Sequence, residues 1–300
     1  MRHRPWAEVA FWLVPLACFF VFPKHLVLGS QVLVVALFAL SLDLILGYAG
    51  IVSLGHAAFF GLGAYTAGLL SARWGWHEPL TGLAAGALVA GAAGFLSSFL
   101  VVRGNDLTRL MVTLGVGLLL YEAANKAAFL TGGVDGLSGI ATGKLLGLWS
   151  FDLAGRTAYL YSLAVLFVMF LLARRLTRSP FGLSLRGIRE GRKRMPAIGA
   201  PVRRRLVAIY TIAALIAGVA GALLAQTTQF VGIDVLGFPR SAELLIMVVL
   251  GGAGRLYGAL VGAAVFMVAQ DYLANLNPVY WQFWLGLLLV VVVLARRRFA

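Results

Sequence analysis

Ten apolar stretches follow one another along this chain, at about residues 9–22, 28–47, 56–72, 80–102, 107–130, 157–173, 206–228, 238–253, 256–275 and 279–295. A helix rising 1.5 Å per residue needs roughly 20 such residues to cross a hydrocarbon layer ~30 Å thick, and most of the stretches are within tolerance of that. The expected fold class is therefore an all-α integral membrane protein, a polytopic helical bundle. Because the first, third and sixth stretches are short, the expected number of transmembrane helices is about ten, within a range of roughly eight to ten. Composition closes the soluble alternative. Of 300 residues 61% are hydrophobic and only 12% charged, with a mean hydropathy of +0.92, whereas a water-exposed surface needs far more charge.

The net charge is +14, and its distribution decides what that excess means. Segment 174–205 is the one plainly aqueous stretch, holding 11 of the 25 Lys and Arg against Glu190 alone. Nucleic acid is excluded as its partner because the segment carries only Phe181 as a stacking aromatic. The positive-inside rule instead puts the segment in the cytoplasm, and counting spans from it puts both termini there too. On that topology 19 basic residues fall inside and 6 outside. The expected organisation is one transmembrane domain over residues 1–300 with cytoplasmic loop 174–205. A cleaved leader over residues 1–25 is the weaker expectation, since no small-x-small site stands near Pro23 and its loss would invert this parity. The single cysteine, Cys18, excludes an intrachain disulfide and a cysteine-based metal cluster.

Small residues recur at intervals of four. Gly254, Gly258 and Gly262 make one such stripe, Gly86, Ala90 and Gly94 a second, and Ala214, Gly218 and Ala222 a third. Lipid gives helices no hydrophobic reason to associate, so stripes that let backbones approach imply close helix packing. Two glycine-rich interruptions stand out. The first contains Gly47, Gly50, Ser53, Gly55 and His56, with Ser53 placed to cap the next helix; the second contains Gly251, Gly252 and Gly254. They read either as broken helices lining a translocation path or as two turns at the cytoplasmic surface.

Intramembrane ionisable groups are functional candidates by default. Asp43 lies one turn from the end of the second stretch, and Glu122 and Lys126 stand at the i,i+4 spacing of a structural ion pair. His56 has neither cysteine nor a second histidine nearby and reads as a hydrogen-bonding hinge residue, not a metal ligand; no metal site is expected. A P-loop is missing: the nearest string, ending in Gly143 and Lys144, has the wrong spacing. Nor is there a nucleophile elbow or a zinc-protease motif. Enzymatic chemistry is not expected, and passage of a solute is.

Within the basic loop, Pro180 can open a short amphipathic helix with Phe181, Leu185 and Ile188 at i, i+4, i+7 and Arg186 and Arg189 on other faces. A second short piece begins near Pro196 and ends at Gly199 and Pro201. Such a pair suits a socket on a partner protein, or the surface of anionic membrane lipid.

Four blocks now carry a family resemblance: residues 41–68, 130–140, 179–190 and 248–254. The first runs from Ser41 through Gly47, Gly50, Ser53, Gly55 and His56 to Gly68. Together they resemble the LivM-type permeases of branched-chain amino acid ABC importers. The resemblance implies a multi-pass protein of the bacterial inner membrane forming half of a translocation pathway. Its partners would be a LivH-like permease, two cytoplasmic LivG/LivF-like ATPases and a periplasmic substrate-binding protein. ATP and Mg would sit on the ATPases, leaving this chain without a cofactor. The family's ATPase-coupling loop would here comprise Phe181, Gly182, Leu185, Arg186, Ile188, Arg189, Glu190 and Gly199. Glu190 and Gly199 match the ends of its motif, but residues 191–196 replace the usual acidic and alanine residues, and Pro196 interrupts a continuous helix. An ATPase with an acidic docking surface is the corresponding expectation. Related permeases carry urea, amides or other amino acids, and an ion-coupled secondary transporter using Asp43 or Glu122 is the alternative class.

Overall fold

A computed structural model describes residues 5–145, 149–152, 154–192, 194–278, 280, 282–284 and 286–287. Eleven helices are described: α1 Pro5–Val21, α2 Leu26–Asp43, α3 Ala57–Trp74, α4 Pro79–Val101, α5 Asp106–Lys126, the single turn α6 Ala128–Thr131, α7 Arg156–Arg178, α8 Pro180–Gly191, α9 Val202–Thr228, α10 Phe238–Gly251 and α11 Leu256–Leu276. Nine of the apolar stretches fall on them. The tenth, 279–295, lies largely outside the described residues, as do Arg2, Arg4 and the arginines at 296–298.

Among the described residues six helices are long and apolar enough to cross a membrane: α2 with its continuation to Tyr48, α4, α5, α7, α9 and α11. Part of the difference from ten has a physical cause. The 14 residues of α10 rise about 21 Å, too little to span alone. It is preceded by residues 229–237, which bridge Leu137 through Val231 and then form a 3-10 turn, Ile233–Leu236, that packs Leu236 on Gly61 of α3. α3 likewise begins inside the bundle, after residues 49–56.

α2 and α9 are apolar all round and largely buried, as helices of that composition must be. α2 is the central post, packed on α7, α9, α10 and α11. The second and third small-residue stripes pack directly on each other. An added Cβ at Gly86 would lie 2.9 Å from Ala222, and one at Gly218 or Gly94 would run into Ala90 or Ala214. α3 joins them through Gly63 against the Gly218 carbonyl. The first stripe divides: Gly258 and Gly262 pack on the Gly251 and Met247 carbonyls of α10, while Gly254 leaves that face and sits in the preceding turn.

Caps follow the local sequence. Glu78 before Pro79 accepts from Thr81 N–H at 3.1 Å, and Asn105 accepts from Thr108 N–H at 3.0 Å. Glu8 pairs with Arg174 at 2.7 Å, so the start of α1 and the end of α7 share one end of the bundle. At the other end Gln226 ties three helices, donating to the Pro79 carbonyl at 2.8 Å and accepting from Tyr161 at 3.0 Å.

The basic segment is shorter than expected. Arg174, Arg175 and Arg178 belong to the last turns of α7, and Arg203, Arg204 and Arg205 to the first turn of α9. Basic side chains complement a helix C-terminus and reach past the apolar zone on their methylene stems, so α7 continues through them.

Candidate functional site

Three of the singled-out segments meet at the end of the bundle that carries Arg174. α2 does not stop at Asp43; residues Leu44–Tyr48 widen into a π-helical turn, and Gly50, at φ +69°, ends it. Asp43 is fully buried, and its Oδ1 accepts the Gly254 N–H at 2.6 Å. Gly254 adopts φ +85°, and Gly47 lies so close that a Cβ there would strike the Gly254 backbone nitrogen. Arg189 reaches in from α8 and donates from Nη1 to the Gly47 carbonyl, while its side chain covers Gly50. Asp43, Gly47, Gly50, Arg189 and Gly254 therefore form one junction.

α8 is keyed to that junction by its apolar face. Ser179 caps it and Pro180 opens it. Leu185 and Ile188 are buried, Gly182 lies on the Thr177 carbonyl, and Phe181 packs beneath Arg205, whose guanidinium stands 5.3 Å from the ring. Arg186 stands 5.2 Å from the Tyr48 ring, a cation–π contact. The apolar stripe of α8 thus points into this chain's own bundle. Glu190 is exposed. α8 ends at Gly191, and Pro196 is the second residue of the 3-10 turn Met195–Ile198, which Gly199 ends at φ +78°. Arg192 donates to the Val102 carbonyl at 3.0 Å; burial there lowers its pKa, and nearby Asp106 partly offsets this.

Two outward-facing apolar residues were not singled out from sequence: Leu183 is 61% exposed and Ile198 75% exposed among charged neighbours. For Leu183 the signal was present, because it falls off the i, i+4, i+7 stripe of α8.

The first interruption is not a surface turn. Residues 49–56 run back along α2 until His56 Nε2 lies 2.8 Å from Ser41 Oγ. That hydroxyl donates to the Phe38 carbonyl at 2.6 Å, so the imidazole Nε2 is the donor to Ser41 and the ring stacks on Phe38. Ser53 is buried but does not cap α3; the Ala57 N–H donates instead to Ser241 Oγ of α10, at 2.9 Å. Gly55 meets the Thr113 carbonyl of α5 where a Cβ would not fit. The starts of α3 and α10 thus converge within the bundle. Gly251 and Gly252 end α10, Gly252 at φ +94°. Glu122 and Lys126 are both exposed on α5, and no ion pair joins them.

A bundle of apolar helices, two of them starting from interior breaks and one amphipathic helix locked by an arginine to the end of the central post, defines a multi-pass membrane protein. Residues 27–293 match the family described as branched-chain amino acid transport system / permease component, and the chain belongs to that family. It is 31% identical to the high-affinity branched-chain amino acid transport system permease protein LivM of Escherichia coli (strain K12), over 90% of this chain and 68% of that one. Identity to LivM of Salmonella typhimurium is 32% over the same shares. The L-arabinose ABC transporter permease protein AraH of Azospirillum brasilense is 28% identical over 74% of this chain and 66% of its own. No solved structure matches the chain.

Proposed function

We propose that the protein is the permease subunit of an ATP-driven importer of branched-chain amino acids in a bacterial inner membrane, and that α8 transmits the ATPase stroke to the core. The observation that carries the second half is the arginine link: Arg189 joins α8 to the Gly47 carbonyl, and Gly47 touches the turn between α10 and α11. Movement of α8 therefore acts on both broken segments at once, which suits a switch between outward-open and inward-open states. A LivH-like permease completes the pathway, two LivG/LivF-like ATPases supply the energy, and a periplasmic binding protein delivers the substrate. ATP and Mg belong to the ATPases. We keep both termini in the cytoplasm, and the Glu8–Arg174 pair supports this for the N-terminal helix by holding it beside the basic segment.

Leu183 and Ile198 are the apolar knobs that an ATPase groove receives, with acidic groups on its rim facing Arg194 and the arginines at the start of α9. Co-expression with the neighbouring transport genes followed by purification tests the assembly, and uptake of radiolabelled leucine by the complex in proteoliposomes with loaded binding protein tests the activity. The likeness to the arabinose permease favours one competing reading, a different small solute; it prevails if the associated binding protein holds no branched-chain amino acid.

A further inference from the structure

Towards the end of the bundle opposite the basic segment, a cavity of about 440 Å³ lies between α2, the end of α9, residues 229–240 and α11. Its size is that of a small-molecule site. The wall is divided. Leu28, Val35, Val235 and Met267 give it an apolar side, and Asp234, Arg240 and Asp271 supply charge of both signs. Gln270 also lines it, and the Gln270 Oε1 is buried with no partner among the described residues. Arg240 sits in the first turn of α10, and Gly237, the N-cap residue before that helix, offers no side-chain cap, so the helix dipole adds to the guanidinium there. Arg240 keeps a partner, Glu243, at 3.1 Å.

From this lining we infer that the cavity is a transit site for a zwitterionic α-amino acid with a branched apolar side chain. The carboxylate faces Arg240 and the start of α10, the ammonium faces Asp234 and Asp271, and the side chain lies on the apolar wall. A neutral sugar gains nothing from the two acids, and an inorganic anion is repelled by them. The inference rests on the amino-acid reading above and adds to it a place within this chain where the solute pauses. Affinity is weak, because a tightly held substrate would not move on.

The test is protection of a cysteine in the assembled complex. The native thiol is removed by Cys18→Ala, Met267→Cys is introduced, and labelling by a water-soluble maleimide is timed. Leucine slows labelling at least about fivefold, whereas 4-methylpentanoate, which lacks the ammonium, and isoamylamine, which lacks the carboxylate, do not. Protection disappears in the Asp234→Asn/Asp271→Asn variant; both side chains are exposed, so folding is preserved. Absence of leucine protection in a complex that still imports leucine overturns the site and leaves the transport reading standing. Equal protection by all three probes overturns the zwitterion assignment. A complex that imports no leucine overturns the reading on which the site rests.

Discussion

Asp43 and Gly254, 211 residues apart, are joined by a hydrogen bond of 2.6 Å from the Gly254 amide to the buried Asp43 carboxylate. An acid at that depth is costly unless something holds it in place. Here it fixes the turn between α10 and α11 against the end of α2. Replacing Asp43 by Ala leaves the half-buried Gly254 amide without its acceptor and should destabilise the protein by about 1–3 kcal/mol, while Asn, which keeps an acceptor oxygen, should cost less than half of that. Thermal unfolding of the purified complex, followed by tryptophan fluorescence, measures both.

Gly47→Ala should be at least as damaging. The new methyl group would run into the Gly254 backbone nitrogen and Asp43 Oδ1, so the backbone of the turn or the buried carboxylate must shift. Overpacking of this kind costs about 1–3 kcal/mol. Gly139→Ala provides the control: it shares the positive φ found elsewhere in the chain but has open space around it, so it should cost only the backbone strain, about 1–2 kcal/mol.

Much of this junction was legible in the sequence. Glycines in the stretch 47–55 and at 251–254, an acid one turn inside an apolar stretch and an amphipathic stripe in a basic loop each pointed to a special position. Their meeting was not legible, because nothing in a helical period says which surface a stripe covers. Phe181, Leu185 and Ile188 had the right spacing, yet they cover this chain's own core. Residues 229–237 fall between two apolar stretches, with Gly232, Asp234 and Gly237 marking the break, but nothing local says that Val231 bridges Leu137 or that Leu236 packs on Gly61. Glu122 and Lys126 show the limit of spacing, since an i,i+4 pair permits an ion pair without compelling one.

The cap on α3 could not have been read locally, because its donor is 184 residues from its acceptor. Ser241→Ala should cost about 1 kcal/mol, the usual cost of a lost N-cap, and Ser53→Ala should not reproduce a capping loss. Hydrogen exchange in the first turn of α3 distinguishes the two, with faster exchange expected only in Ser241→Ala.

Docking and transmission separate by residue. Leu183→Glu/Ile198→Glu changes two exposed side chains and should reduce co-purification of the ATPases about tenfold or more, equivalent to ~1.4 kcal/mol, with the permease itself intact. Pull-down through a tag on this chain provides the measurement, and Arg189→Ala should retain the ATPases in the same experiment.

The central claim is that Arg189 carries the stroke from α8 to the broken end of α2. Its most direct test is the number of leucine molecules imported per ATP hydrolysed by Arg189→Ala complexes in proteoliposomes with saturating binding protein. The account predicts that ATP hydrolysis persists while import per ATP falls about tenfold or more. An unchanged ratio in a fully assembled complex would contradict it.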